Sequence, residues 1–388
     1  MIIGFSLSAV YSINTILSSL LPAVDSTMNL SPFVAGVVIS AYGWIYAMMQ
    51  IPVGITSDRY DPRKVMSLSM FGFFVSGIAF SISRNETELV LSRLFMGIAA
   101  SFVFVDGLKS IEYFYDMSER GRAVAIFLSI GSVGIALPNL AVSLLPAGTV
   151  SSWRTIYIAV NILAFLASIF SATFLPRKLL DRDRHVGNDW GKSKVLRSRF
   201  LTMATSQFAA QNVIDFAYFG TFIGVLFWLP TFVVAHYSSF FLGGVSVALL
   251  GGGSIAGSLT TGWLVDFFKS KKSILIIFMT VYLLSLLSIA FSSSPVVTIL
   301  SSLLFGFTNG GFVAFTRLVG ERTQKNNIGI AFGVINTTSW LGSAFYSFLI
   351  GLLLSFGIGF TWIFFIVSLS ISVPIILAKF IVVESSKK

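Results

Sequence analysis

Twelve long apolar runs divide this chain, and they constrain its fold more than any other feature. Crossing a bilayer as an α-helix takes about 20 apolar residues. The runs cover roughly residues 1–22, 33–54, 65–83, 88–111, 122–146, 154–175, 201–235, 245–265, 274–292, 296–316, 329–354 and 358–382. Inside a membrane every backbone polar group needs an internal partner, so such runs fold as helices. The sequence therefore predicts an all-α integral membrane protein with twelve transmembrane helices.

The composition agrees with a membrane protein and excludes several other classes. Only 11% of the 388 residues are charged, whereas soluble domains carry about 25%. With no cysteine and two histidines, the chain offers no disulfide framework and no thiolate or histidine metal centre. It also lacks a catalytic constellation and a phosphate-binding glycine loop. We therefore expect neither enzyme activity nor a cofactor.

The net charge of +10 comes from basic residues that gather on one side of the runs. If the links between runs alternate sides, 23 of the 26 Lys and Arg residues fall on one side. Cytoplasmic links of membrane proteins carry such an excess. We therefore predict a plasma-membrane protein with both termini in the cytoplasm. This distribution argues against a nucleic-acid partner, which needs a basic patch.

The longest link, residues 176–200, falls near the middle of the chain and carries eight Lys and Arg. It predicts an N-terminal six-helix bundle over residues 1–175 and a C-terminal bundle over residues 201–388. The charge of the link either holds it on anionic membrane lipid or only fixes the topology, and we favour the second.

A short charged link between the second and third runs holds the most informative motif. Eleven residues contain Gly54, Asp58, Arg59, Arg63 and Lys64. A glycine lets a neighbouring helix approach closely, and an acid at the membrane surface can pair with a base or interact with a helix N-terminus. Alone, the motif could be only a topology signal.

The motif recurs in the second half of the chain. Gly262 and Asp266 repeat the glycine and the acid four residues later, Lys269 and Lys272 repeat the basic cluster, and Asp266 follows Asp58 by 208 residues. Both copies resemble the signature loops of the major facilitator superfamily of transporters, whose two halves are a parallel repeat. The resemblance implies twelve transmembrane helices in two pseudo-symmetric six-helix bundles.

Shorter motifs extend the resemblance. Arg93 and Gly97 in the fourth run resemble the Arg-x-x-x-Gly element of the superfamily. Residues 228–230 in the seventh run and 332–336 in the eleventh resemble the branch that carries organic anions and sugar acids. The resemblance implies a central site lined by the first, fourth, seventh and tenth runs.

The chain also departs from the family patterns. Ala100 stands where that branch often has an acid, and the first run offers only Tyr11 and Asn14 where an arginine is common. In the fifth run, Asn139 follows Pro138 where the antiporter element would continue with glycine. The first two differences are departures from the organic-anion branch, and the third weighs against a drug exporter.

Arg93 is a charge inside an apolar run, which costs about 2.5–3.5 kcal/mol at the bilayer centre and so requires a reason. It lies about five residues into the fourth run. Arg93 either snorkels to the headgroups or holds an anion in a central cavity. The Arg-x-x-x-Gly match favours the cavity.

Asp215 is the second intramembrane charge, and it belongs to a polar stripe in the seventh run. Gln207, Gln211 and Asp215 are spaced i, i+4 and i+8 and share one helix face, with Tyr218 beside it. The stripe is a candidate binding surface. Asp215 either carries a proton or pairs with a neighbouring helix.

Other polar residues in the runs have two interpretations each. Asp106 and Lys109 are spaced i, i+3 and form either a local ion pair or, for Asp106, a second proton site. The amides Asn309 and Asn336 either face the cavity or join helices. Tyr11 and Asn14 are the polar groups of the first run that could contact a solute.

By resemblance, two acids latch the bases of the signature loops. The resemblance assigns Glu112 to Arg59 or Arg63, and Glu321 to Lys269 or Lys272. Together with Asp58, Lys64 and Asp266, these residues are the predicted gate.

The sequence as a whole predicts a monomeric secondary active transporter that works by alternating access. Without an ATP-binding motif, an ion gradient or the solute gradient must drive it. We favour proton-coupled symport of a small organic anion, with solute and protons as partners. The alternative is an exporter or facilitator of a neutral or cationic compound. A receptor or anchor built on a transporter scaffold is a third, less favoured class.

Overall fold

The chain folds into helices over the parts that the computed structural model describes, residues 1–116, 119–145, 152–175, 205–323 and 328–384. These residues contain no strand. The helices are α1 (Ile2–Met28), α2 (Pro32–Arg59), α3 (Pro62–Ile82), α4 (Glu86–Phe114), α5 (Arg120–Ser143), α6 (Trp153–Phe174), α7 (Ser206–Tyr237), α8 (Phe240–Phe268), α9 (Lys271–Phe291), α10 (Pro295–Thr308), α11 (Gly311–Arg322), α12 (Ile328–Ser355), α13 (Phe360–Ser370) and α14 (Ser372–Phe380).

These helices make twelve spans that are long and apolar enough to cross a membrane, as predicted. Helices α1–α9 and α12 are single spans. The tenth span consists of α10 and α11, which are separated at Asn309 and Gly310, and the twelfth consists of α13 and α14. Helices α1–α6 form one bundle and α7–α14 the other. The predicted link 176–200 lies outside the described residues.

The ends of the spans define two faces. The end that carries Met1 and the links 60–61 and 269–270 also carries the bases of the signature loops, and we call it the basic face. The links 83–85 and 292–294 lie at the other end, the opposite face. This assignment follows from the alternation of antiparallel spans.

The two bundles touch each other closely through glycines in their opposite-face halves. A Cβ atom placed on Gly36 of α2 would lie 3.1 Å from the Cα of Gly351 in α12. Seven residues further along α2, a Cβ on Gly43 would lie 3.1 Å from that of Ala344. Small residues let two helix backbones approach so closely.

Helices α5 and α8 repeat this contact on the other side of the molecule. A Cβ on Gly244 would lie 3.0 Å from the Cα of Ser143, and one on Gly251 would lie 3.1 Å from the backbone nitrogen of Ala136. Each of these four positions is 208 residues from its counterpart in the α2–α12 contact. The repeat first seen in the charged loops therefore also sets the contacts between bundles.

Towards the basic face, the same helices part. Gly54 of α2 and Gly333 of α12 lie about one turn beyond the last contact between these helices, and neither has a described atom of another element within 4 Å. Gly262 of α8 is equally open. The described helices are thus closed together near the opposite face and separate near the basic face.

Within the first bundle, Gly97 brings α4 against α2. A Cβ on Gly97 would lie 2.6 Å from the carbonyl oxygen of Tyr42, which is too close for any side chain. Arg93 lies one helical turn before this contact and is therefore held against the backbone of α2. The Arg-x-x-x-Gly spacing has a structural reason, because the glycine sets the distance between α4 and α2 that the arginine side chain bridges.

Replacement of Gly251 by leucine should weaken the closed arrangement. The larger side chain overpacks the α5–α8 contact, at a typical cost of about 1–3 kcal/mol, so the ratio of closed to open molecules should fall by about fivefold or more. Spin labels on cysteines at Arg84 and Ser293, one on each bundle at the opposite face, would measure the distance between them. Gly252→Leu is the control, because Gly252 has no described neighbour within 4 Å. Equal distances in both variants would contradict this account.

Replacement of Gly97 by alanine should destabilise the first bundle. The new methyl group cannot fit against the Tyr42 carbonyl, so α4 must move away from α2 at a cost of about 1–3 kcal/mol. A lower Tm of the purified protein would show this. Gly72→Ala is the matched control, because its Cβ would lie 3.7 Å from that of Ala99, an ordinary contact. An unchanged Tm in Gly97→Ala would show that the helices are not held at this point.

Candidate solute site and gate residues

Arg93 is buried between helices and does not reach the headgroups. Its side chain has 0% exposure. Nε donates to the carbonyl of Val38 at 3.3 Å, and Nη2 donates to the carbonyl of Ile39 at 3.4 Å. Burial and these contacts rule out snorkelling in this arrangement.

The charge of Arg93 has no acidic partner among the described residues. No described carboxylate lies within ion-pair distance, and Nη1 has no hydrogen-bond partner. The guanidinium lies 5.0 Å from the ring centre of Tyr42 and 5.9 Å from that of Phe227. The Tyr42 hydroxyl, also buried, has no described partner either. Nη1 of Arg93 and the Tyr42 hydroxyl are therefore two buried polar groups without a described hydrogen-bond partner.

Asp215 faces α12 from α7. Its Oδ2 accepts a hydrogen bond from the Ser339 hydroxyl at 2.5 Å, and its Oδ1 has no described partner. One turn earlier, the amide nitrogen of Gln211 is buried and also lacks a partner. A free acceptor and a free donor are thus spaced by one turn of one helix.

The other two residues of the predicted stripe lie elsewhere. Gln207 donates from Nε2 to the carbonyl of Val383 at 3.3 Å, near the end of the described chain. The Tyr218 hydroxyl donates to the carbonyl of Thr308, the last residue of α10. Both side chains bind groups elsewhere in the second bundle, so the structure brings only Gln211 and Asp215 together.

The two predicted residues of α1 are more enclosed than expected for a cavity lining. Asn14 is buried and its Oδ1 has no described partner. Tyr11 is half-buried and packs against α5, where its ring lies 3.3 Å from a Cβ placed on Gly131.

Both mid-span amides join helices, which is one of the two interpretations left open above. Asn309 donates to the Ser254 hydroxyl of α8 at 3.0 Å. Asn336 of α12 donates to Oε1 of Gln50 in α2 at 2.8 Å, a hydrogen bond between the two bundles. It lies beside the point where α2 and α12 begin to part.

Sequence reasoning missed the residues around that bond. The Trp340 ring lies 4.2 Å from that of Tyr46 and 5.4 Å from that of Tyr42. An amide within an apolar run could have drawn attention to Gln50. In a chain with 15% aromatic residues, no sequence signal distinguished these three rings.

The gate residues of the second bundle form two ion pairs at the basic face. Arg317 of α11 binds Asp266 of α8 at 2.5 Å. Glu321 binds Lys271 at 2.8 Å. The predicted partners, Lys269 and Lys272, were wrong by one or two positions, because Lys271 is the residue that begins α9 beside α11.

The gate residues of the first bundle are only partly described. The Arg63 guanidinium donates to the carbonyl of Ala172 in α6, and Lys64 is exposed. The Lys109 amine donates to the carbonyl of Ser57. The side chains of Asp58, Arg59 and Glu112 lie outside the described residues, so their predicted pairing stays a prediction.

Asp106 is fully buried in α4, three residues before Lys109. Lys109 is the counterpart of Arg317 under the 208-residue offset. A basic residue therefore occupies the equivalent position in each bundle. Among the described residues no cluster of three or more His, Asp or Glu side chains could bind a metal ion.

Comparison with characterised proteins extends the fold assignment. The D-xylose–proton symporter structure superposes with a TM-score of 0.79 at 16% identity, over 99% of this chain and 97% of that one. The nitrite extrusion protein of Bacillus subtilis (strain 168) is 24% identical over 351 residues, 88% of this chain and 83% of that protein. The probable L-galactonate transporter of Escherichia coli (strain K12) is 29% identical over 148 residues. That match spans 38% of this chain and about a third (32%) of the transporter.

These relatives are transporters and not enzymes. Together with its twelve apolar spans, the likeness makes the chain a multi-pass membrane protein. The sequence profile of the Major Facilitator Superfamily matches residues 3–345 and 247–388. The chain therefore belongs to the Major Facilitator Superfamily.

Proposed function

We propose that this chain is a secondary transporter that moves a small organic anion together with protons by alternating access. The observation that carries the proposal is the buried guanidinium of Arg93, which has no acidic partner among the described residues. A buried charge without a counter-charge is strongly unfavourable. A solute carboxylate would supply the missing charge and accept charge-assisted hydrogen bonds.

Asp215 supports the coupling of transport to protons. Its carboxyl is fully buried with one oxygen unpartnered, and low-dielectric surroundings penalise a carboxylate. A proton would remove the charge while the bundles move, and Asp106 is a second buried carboxyl that can serve in the same way. The solute would then bind between Arg93 and the Gln211–Asp215 pair.

The arrangement of the bundles supports alternating access. Contacts close the opposite-face halves and leave the basic-face halves apart, which is one of the two states such a mechanism needs. We assign the ion pair between Arg317 and Asp266, together with Lys109 and Asp58, to a latch that closes the basic face in the other state. We further propose that the protein is a monomer in the plasma membrane.

A second candidate is a carrier of a neutral or cationic compound. The unpartnered oxygen of Asp215 favours it, because a carboxylate can hold a cation as well as a proton. The two candidates differ in whether Arg93 or Asp215 provides the binding charge.

Variants of Arg93 should separate the two candidates. Arg93→Ala should lose anion binding, and Arg93→Lys should restore it poorly because an ammonium lacks the planar fork. Binding is measured as a rise in Tm with L-galactonate, nitrite, D-xylose and tetraphenylphosphonium as probes. Intact binding of an anion by Arg93→Ala would refute the anion site. Binding of tetraphenylphosphonium alone, lost in Asp215→Asn, would favour the cation carrier.

Asp215→Asn should uncouple transport from protons. In liposomes the variant should still exchange labelled solute across the membrane but should lose accumulation driven by a pH gradient. The pH gradient and the membrane potential are varied independently, and Asp106→Asn is assayed beside it. Wild-type uptake that does not depend on the pH gradient would exclude proton coupling.

The basic face should be cytoplasmic. A cysteine at Lys64 should react with an impermeant thiol reagent only from the cytoplasmic side, and one at Arg84 only from outside. Both positions are exposed, and the chain has no cysteine of its own. The reverse labelling pattern would invert the topology.

A further inference from the structure

Arg93 contacts both bundles, although it belongs to the first. Its hydrogen bonds to Val38 and Ile39 stay within that bundle. The ring that it faces at 5.9 Å, Phe227, belongs to α7 of the second bundle. A cation above an aromatic face at this distance is attracted to it. The guanidinium therefore makes a direct favourable contact across the interface.

A second connection runs through Tyr42. The guanidinium lies 5.0 Å from the centre of this ring, and the Trp340 ring of α12 lies 5.4 Å from it. Tyr42 thus contacts both a charge of the first bundle and an indole of the second. Through Phe227 and Tyr42, Arg93 is connected to both α7 and α12.

These contacts lie within the closed part of the interface. Val38, Ile39 and Tyr42 fall between Gly36 and Gly43 along α2, the two glycines whose backbones touch α12. When the bundles separate at the opposite face, this is the stretch of α2 that must leave α12. Phe227 must then also leave the guanidinium.

We propose that Arg93 is a clasp of the opposite-face gate, with Phe227 and Tyr42 as its positioning residues. In the closed state the fork of Nε and Nη2 binds the two carbonyls of α2, while the aromatic rings cover the guanidinium. When the gate opens, Phe227 withdraws with the second bundle and the guanidinium becomes accessible to an anion. Solute and gate therefore compete for one group.

The competition gives a physical reason for release. The bonds to Val38 and Ile39, at 3.3 and 3.4 Å, are long for hydrogen bonds, so an anion can replace them when the gate is open. Closure of the gate brings Phe227 back to the guanidinium and lowers its affinity for the anion. The anion then leaves towards the basic face. This last step rests on the proposed function, whereas the clasp itself does not.

Phe227→Leu tests the clasp without any solute. Leucine keeps an apolar side chain but has no aromatic face. Spin labels on cysteines at Arg84 and Ser293 report the opening of the opposite face. Phe227→Leu should lower the ratio of closed to open molecules by at least about twofold, the lower range for a cation–π contact.

Phe222→Leu is the matched control. Phe222 is on the same helix, is as buried as Phe227 at 2% exposure, and stacks on Phe305 of its own bundle at 5.8 Å. It should leave the distance distribution unchanged. Equal shifts of the distance distribution in both variants would mean that the rings act only by packing, which would overturn the clasp. An unchanged distance distribution in Phe227→Leu would also overturn it.

Arg93→Lys provides an independent variant, because it keeps the charge but not the planar fork. It should also lower the closed population, and a Tm close to that of the wild type would show that the variant is folded. L-galactonate, added in amounts that raise the wild-type Tm, should open the opposite face. A protein that binds L-galactonate and stays closed would refute the competition. If the closed population shifts as expected but no anion binds, the proposed function fails and the clasp stands.

Discussion

Close approach of helix backbones is the constraint on which this structure depends. In lipid, an apolar side chain gains little by leaving the bilayer for another helix, so packing at small residues must hold the helices together. Gly36 and Gly43 provide that packing on one side of the interface, and Gly244 and Gly251 provide it on the other. Because both pairs lie in the opposite-face halves, the bundles are closed there and separate towards the basic face.

The same constraint decides where the buried charges lie. Gly97 holds α4 against α2, so Arg93 one turn away is enclosed within the closed half. Asp215 bonds to Ser339, which lies on α12 between the last glycine contact and the Gln50–Asn336 bond. One charge is thus covered by the closed gate, and the other lies where the bundles begin to part. In the proposed mechanism the anion-binding group and the proton-binding group must respond to the same movement, and this placement would let them do so.

Three of the polar residues predicted to contact the solute join helices. Asn309, Asn336 and Tyr218 each bind a group of another helix. In a membrane a buried polar group needs a partner, and neighbouring helices provide it. The buried polar atoms without a described partner are therefore the more informative ones. Atoms of Arg93, Tyr42, Gln211 and Asp215 are among them.

The sequence by itself determined the twelve helices, the two-fold repeat and the two intramembrane charges. Run length, charge distribution and the 208-residue offset are properties of the chain alone, and the bilayer admits helices as the structure for such runs. Only the tertiary structure decided which groups meet. The rings of Phe227 and Trp340 near Arg93, the Ser339 partner of Asp215 and the pairing of Glu321 with Lys271 join residues that are distant in sequence. Their contacts depend on the rotation and depth of each helix, which packing against neighbours sets and which no local sequence pattern encodes.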